Sequence, residues 1–175
     1  MSSLILTTDG FEDSEFQYPY YRLQEAGIDV TVATPGGEDV SGKHGTSGEA
    51  DAAISEIDAD DFELLVIPGG NAPEQLRLEA PEAADIVASF DEAGKPIAAI
   101  CHGAQLLISA DILDGREITG YWSLEVDIEN AGATFADEEV VVDDNLITSR
   151  VPDDLPAFMA KTLEVAEREE IEAVS

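Results

Sequence analysis

The sequence predicts an α/β fold in a single domain, a mostly parallel sheet with helices on both faces. Short apolar runs closed by glycine or proline alternate with longer segments whose apolar residues recur at helical spacing. No internal repeat or long linker interrupts this alternation across residues 1–175. A chain of 175 residues that is 44% hydrophobic can bury a core on each side of such a sheet.

In chain order, Leu4 to Thr8 reads as the first strand, broken by Asp9-Gly10. A helix follows from Asp13 to Ala26, with Phe16, Tyr20 and Leu23 on one face and Gly27 as its C-cap. Pro19 falls inside it, where a missing N–H and a steric clash predict a kink. Asp29 to Thr34 is a second strand. Val40 to Ala53 is a glycine-studded excursion of hairpin or short strands, in which His44 reads as a turn residue. Phe62 to Pro68 is a buried strand followed by Gly69-Gly70, and Ala72-Pro73-Glu74 opens a short helix. Pro81 to Ala93 forms the next helix, Ile97 to Ile100 a buried strand, and Glu117 to Tyr121 another strand. Leu124, Ile128 and Ala131 mark a helical face, and Glu139–Asp143 pairs with Leu146–Ser149 as a hairpin. The last helix runs from Asp154 to Glu170, with Leu155, Phe158, Met159 and Leu163 facing inward.

Charge is the anomaly of the composition. Acidic residues number 39 against 8 basic ones, a net of −31, spread along the whole length. Long, regularly spaced apolar segments argue against a disordered acidic chain. A site for a cationic partner would cluster its charge. Dispersed carboxylates with only three lysines fit adaptation to high salt, as in an extreme halophile, where counterions screen self-repulsion. Nucleic-acid binding is disfavoured for want of a basic face. The N-terminus enters an apolar strand directly, and no apolar run approaches the ~18 residues of a membrane span. One cysteine excludes an intramolecular disulfide and suits a reducing compartment, so the expectation is a cytoplasmic protein without membrane contacts.

That cysteine lies in Lys95-Pro-Ile-Ala-Ala-Ile-Cys-His-Gly-Ala104, at the end of a strand, with Gly103 permitting a sharp turn and helical spacing resuming from Ala104. Strand, nucleophile, glycine turn and helix make a nucleophile elbow, which presents the side chain with helix N–H groups behind it. A buried cysteine is ordinarily a small apolar filler. Here the helix N-terminus is expected to favour the thiolate and lower its pKa. In parallel sheets, sites lie beyond the carboxyl ends of the strands. Thr8–Glu15, Gly69–Glu74 and Cys101–Ala104 are therefore expected at one edge. Glu12, Glu15 and Glu74 each also have a plain explanation as acids near a helix N-terminus.

These motifs together resemble the ThiJ/PfpI superfamily. The resemblance rests on Gly10-Phe-Glu-Asp-Ser-Glu15 with Tyr18-Pro-Tyr-Tyr-Arg-Leu23, Gly42-Lys-His-Gly45, Val66-Ile-Pro-Gly-Gly70 with Ala72-Pro-Glu74, Ala99-Ile-Cys-His-Gly103 and Ser149-Arg-Val-Pro152, and it covers nearly the whole chain. It implies a flavodoxin-like three-layer sandwich, similar to class I glutamine amidotransferases. It implies Cys101 as nucleophile, Glu15 as a protonated acid bonded to its sulfur, and His102 as general base or proton shuttle. It further implies Glu74 as the third catalytic member supplied by a neighbouring subunit, Glu12 as a second pocket acid, and backbone N–H groups at Gly70 and His102 as the oxyanion hole. Tyr121 matches a position near the pocket mouth. The resemblance implies no cofactor or metal, and a homo-oligomer: a dimer, with hexamers common in the peptidase branch. Two positions depart from the pattern, Ala104 where proline is frequent and Asn71 where some members carry arginine.

The implied activity is that of a cysteine hydrolase, either peptidase-like or a deglycase of glyoxalase type. Its substrate is a peptide, or a small aldehyde or glycated adduct. The alternatives are a redox-sensing stress protein with an oxidisable Cys101 and no turnover, or a chaperone.

Overall fold

The computed structural model describes residues 1–175. Eleven strands and six α-helices follow one another as β1 (Ser2–Leu6), α1 (Asp13–Glu25), β2 (Asp29–Thr34), β3 (Val40–Ser41), β4 (Ser47–Gly48), β5 (Ala52–Ala53), β6 (Leu64–Ile67), α2 (Ala72–Glu79), α3 (Glu82–Glu92), β7 (Ile97–Ile100), α4 (Ala104–Ser109), β8 (Glu117–Ile118), α5 (Glu125–Asn130), β9 (Thr134–Phe135), β10 (Val141–Asp143), β11 (Leu146–Ser149) and α6 (Leu155–Ala173). Seven strands form the central sheet in the order β10-β11-β7-β6-β1-β2-β5. All neighbours pair in parallel except the β10–β11 hairpin, which turns at Asp144 in the left-handed region.

Period-two alternation along the buried strands divides the core between two faces. Leu4, Leu6, Leu65, Ile67, Ile97 and Ala99 join the residues of α2, α3, α4 and α5 in one cluster. Ile5, Leu64, Val66, Ala98 and Ile100 join α1 and α6 in the other. The result is the three-layer, flavodoxin-like arrangement that the sequence predicts. No helix is long and apolar enough to cross a membrane.

Several boundaries move for identifiable reasons. The strand expected at Leu4–Thr8 pairs only through Leu6, and Thr7 and Thr8 run on beyond the ladder, buried at the sheet edge. Helix α1 continues through the buried Pro19 without a break in its assigned span. The strand expected at Glu117–Tyr121 pairs only at Glu117–Ile118, because later N–H groups find other acceptors. Thr119 N–H donates to Thr148 Oγ1 at 2.9 Å, and Tyr121 N–H to the Cys101 carbonyl at 3.1 Å.

Candidate active site

Three neighbouring strands, β7, β6 and β1, end side by side, and the turns that follow them meet at one edge. The β1–α1 and β6–α2 turns are tied together by Glu12 N–H to the Gly69 carbonyl at 3.2 Å and Asn71 N–H to the Gly10 carbonyl at 2.9 Å. Gly70 completes this contact in the left-handed region, at φ 76°, where a side chain would be strained.

Cys101 itself makes the turn after β7. It sits at φ 60°, a left-handed conformation that costs a non-glycine residue ~1–3 kcal/mol and is typical of functional sites. The sequence suggested Gly103 as the turning residue. Gly103 is instead helical, at φ −55°, and is needed for a different reason: a Cβ there would lie 2.6 Å from the Ile67 carbonyl oxygen. A short 3-10 turn, Cys101–Gly103, leads into α4. The backbone N–H groups of His102 and Gly70, the two donors expected to form an oxyanion hole, act on the Cys101 thiol by lowering its pKa.

Glu15 projects from α1 into this corner and is fully buried. Its Oε1 accepts the Gly69 N–H at 2.9 Å, while Oε2 is buried without a partner in hydrogen-bonding geometry. Burial is the main reason that its pKa rises to about 8, with the Glu12 charge adding to the effect. The carboxyl is therefore mostly protonated at neutral pH, but it forms no hydrogen bond with the Cys101 sulfur, the contact that the resemblance implied, because Oε1 is taken by Gly69 and Oε2 has no partner. The thiol departs from expectation. Burial first, and the Glu15 charge second, push Cys101 up to about 12, against the opposing pull of the His102 and Gly70 N–H groups. Backbone dipoles do favour the thiolate, but in the single chain they lose to desolvation.

His102 follows in the 3-10 turn before α4, with Nδ1 3.3 Å from the Cys101 sulfur. Burial and the nearby Lys43 charge lower its pKa, partly offset by Glu74, so the imidazole is biased towards the neutral form. Tyr121 stacks on it, with ring centroids 4.7 Å apart. Glu12 lies half-buried at the rim, paired with Lys43 at 3.1 Å. Glu74, on the first turn of α2, is exposed and forms no hydrogen bond with His102 in the same chain. Cys101, His102, Glu15, Gly70 and Tyr121 are thus brought together, Glu12 borders them, and Glu74 stands apart.

Lys43 is the residue that sequence reasoning passed over. Its ammonium acts on Glu12, Glu15, Cys101 and His102 alike. The β3–β4 loop delivers it: Lys43 N–H donates to the Phe11 carbonyl, while Asp13 accepts the N–H groups of His44 and Thr46. The signal was present in the sequence, since a lysine is rare in so acidic a chain.

The family model for the DJ-1/PfpI family matches residues 1–165. The chain belongs to the DJ-1/PfpI family. A deglycase of Pyrococcus abyssi is 48% identical over 159 residues, covering 91% of this chain and 95% of that protein. General stress protein 18 of Bacillus subtilis is 47% identical over 167 residues, covering 94% and 96%. Among solved structures, a two-domain protein of Anabaena variabilis with DJ-1/ThiJ/PfpI-like and ferritin-like domains superposes with a TM-score of 0.90. It is 41% identical, over 97% of this chain and 48% of its own.

Proposed function

We propose that this chain is a cysteine-dependent hydrolase of the deglycase type, with Cys101 as nucleophile. The observation that carries this reading is a cysteine held in the strained turn after β7, at φ 60°, with an imidazole biased towards the neutral form 3.3 Å from its sulfur. Relatives named deglycases point the same way. Substrate binding excludes water and brings a carbonyl carbon against the sulfur. The thiol proton passes to His102 Nδ1 as the sulfur–carbon bond forms. The Gly70 and His102 backbone N–H groups then serve the developing oxyanion, each worth ~3 kcal/mol. Neutral Glu15 lends no opposing charge at this stage. His102 returns its proton to the departing amine or thiol, leaving a thiohemiacetal on Cys101. The C–H proton of that carbon then moves to the adjacent ketone carbon, so that the first carbon is oxidised to a thioester as the second is reduced to a hydroxyl, and water hydrolyses the thioester to a 2-hydroxy acid and free Cys101. A peptide amide would need no such shift: the amine leaves with the proton from His102 and water hydrolyses the acyl-enzyme.

Glu74 enters this scheme from a second copy of the chain. Its exposure, and the absence of a hydrogen bond to His102 within one chain, fit a carboxylate that completes the imidazole's partner set across an interface. The Lys43 charge favours the neutral imidazole of His102 and works against the protonated forms of Glu15 and Cys101.

A redox-sensing role uses the same sulfur, and a relative named for general stress favours it as the second reading. The two separate in one experiment. Wild type and Cys101→Ser are compared in molar salt on methylglyoxal, a glycated cysteine and a fluorogenic peptide. Turnover of at least one substrate is expected to fall more than ~100-fold in the variant. Equal rates from both proteins on all three would refute the catalytic reading.

A further inference from the structure

Arg77 stands apart from the other arginines. Arg22, Arg116, Arg150 and Arg168 each pair with at least one carboxylate, in a chain that carries 39 acids. Arg77 pairs with none. Neutral acceptors fix it instead: Nε donates to Ser109 Oγ at 2.8 Å, and Nη2 to the Gln105 carbonyl oxygen at 2.7 Å. Both acceptors belong to α4, so the side chain bridges α2 to α4 and leaves Nη1 unengaged. In so acidic a molecule, a half-buried guanidinium without a counter-charge has been kept clear of the surrounding carboxylates.

Arg77 lines a cavity of about 410 Å³ between α2, α4 and α5. That volume falls within the range of small-molecule sites, roughly 300–1,000 Å³. Asp127 of α5 lines the same cavity and forms no ion pair with Arg77 or with any other basic side chain. Gln105 also lines it, and its side-chain oxygen is buried without a donor. Ile108, Leu124 and Ala131 supply an apolar wall. One cavity therefore presents a half-buried cation without an ion-pair partner, a carboxylate without one on its exposed rim, and a greasy patch.

The geometry points to a binding pocket for a small zwitterion, an α-amino acid with an aliphatic side chain. Its carboxylate takes the free Nη1 of Arg77, a charge-assisted bond of the stronger kind. Its ammonium faces Asp127. Its side chain packs on Ile108, Leu124 and Ala131. A ligand with only one of the two charges leaves the other wall uncompensated, and for that reason is rejected. The pocket shares no residue with the Cys101 site. Two of its three walls are nevertheless α2, whose first turn carries Glu74, and α4, which follows the Cys101 turn.

The test is thermal unfolding in molar salt, because a ligand that binds only the folded chain raises its midpoint. L-leucine at tens of millimolar is compared with 4-methylpentanoate, which lacks the ammonium, and isoamylamine, which lacks the carboxylate. Leucine is expected to raise the midpoint and the two analogues to leave it unchanged. Arg77→Met and Asp127→Asn are each expected to weaken leucine binding by at least ~10-fold. Should Arg77→Met fail to fold after losing its α4 contacts, Asp127→Asn on the exposed rim decides alone. No rise with leucine, equal rises with all three compounds, or a rise retained in Asp127→Asn would overturn the proposal. If a second copy of the chain fills the cavity instead, leucine will not bind and Arg77→Met will alter sedimentation, which overturns it equally.

Discussion

Glu15 and Cys101 share one buried corner, and the protons they hold set what each can do. With values of about 8 and about 12, the pair holds both protons at neutral pH, and the carboxyl gives up its own first. Once ionised, Glu15 opposes the thiolate, so its charge is a lever on the sulfur. Glu15→Gln keeps the size and an acceptor oxygen and puts an N–H donor where the protonated acid has an O–H, but it can carry no charge. Iodoacetamide modification of Cys101 is expected to move to lower pH in this variant, and a profile unmoved or shifted upward would contradict the coupling. The same carboxyl links stability to pH. Its folded value lies above its ordinary 4.5, so the folded chain holds a proton that the unfolded chain releases. The stability this proton contributes is complete below pH ~4.5 and is lost as pH rises towards ~8. Wild type minus Glu15→Gln, followed by denaturant midpoints across that window, isolates the contribution from the other 38 acids. A difference that stays flat or grows with pH would contradict the assignment.

The turn after β7 shows what is legible at the scale of an element. Apolar run, cysteine and resumed helical spacing placed strand, turn and helix correctly, because each depends on nearby residues. What could not be read locally was which residue turns the chain. Gly103 is constrained from outside its own element, by the Ile67 carbonyl of β6, whereas Cys101 takes the strained conformation. Likewise, β8 stops at Ile118 because Thr148 and Cys101 supply acceptors from elsewhere. Lys43 reaches the site only through a loop pinned by Asp13. The thiol's ionisation was misjudged for a related reason: the helix N-terminus is visible in sequence, and the depth of burial is not. Gly103→Ala tests this account. Its Cβ would also meet Ile67 Cγ2 at 3.3 Å and Ala99 Cβ at 3.4 Å, so the elbow must lift away from β6 and β7. A loss of ~1–3 kcal/mol is expected in chemical denaturation in molar salt, the range for overpacking a filled core. An unchanged midpoint would show that the contact is not constraining.

Over the whole molecule, the charge of −31 is a surface property. Only Glu15 and Asp154 are buried among the acids, and only eight acidic side chains form ion pairs. The remaining carboxylates repel one another through solvent. The screening length is ~3 Å in molar salt and ~10 Å at 0.1 M, so dilution extends that repulsion across neighbouring side chains. Folding and association face the same penalty, but they need not fail together. Two like-charged surfaces must approach for Glu74 to reach a second chain's His102, and the buried core resists longer than such an interface. As salt is lowered from molar to tens of millimolar, light scattering is expected to report dissociation first. Turnover should fall with it, while circular dichroism loses its helical signal only at still lower salt. A spectrum unchanged throughout would remove the case for salt adaptation. A monomer that retains full activity would remove Glu74 from the reaction and leave Cys101, His102 and Glu15 to act within a single chain.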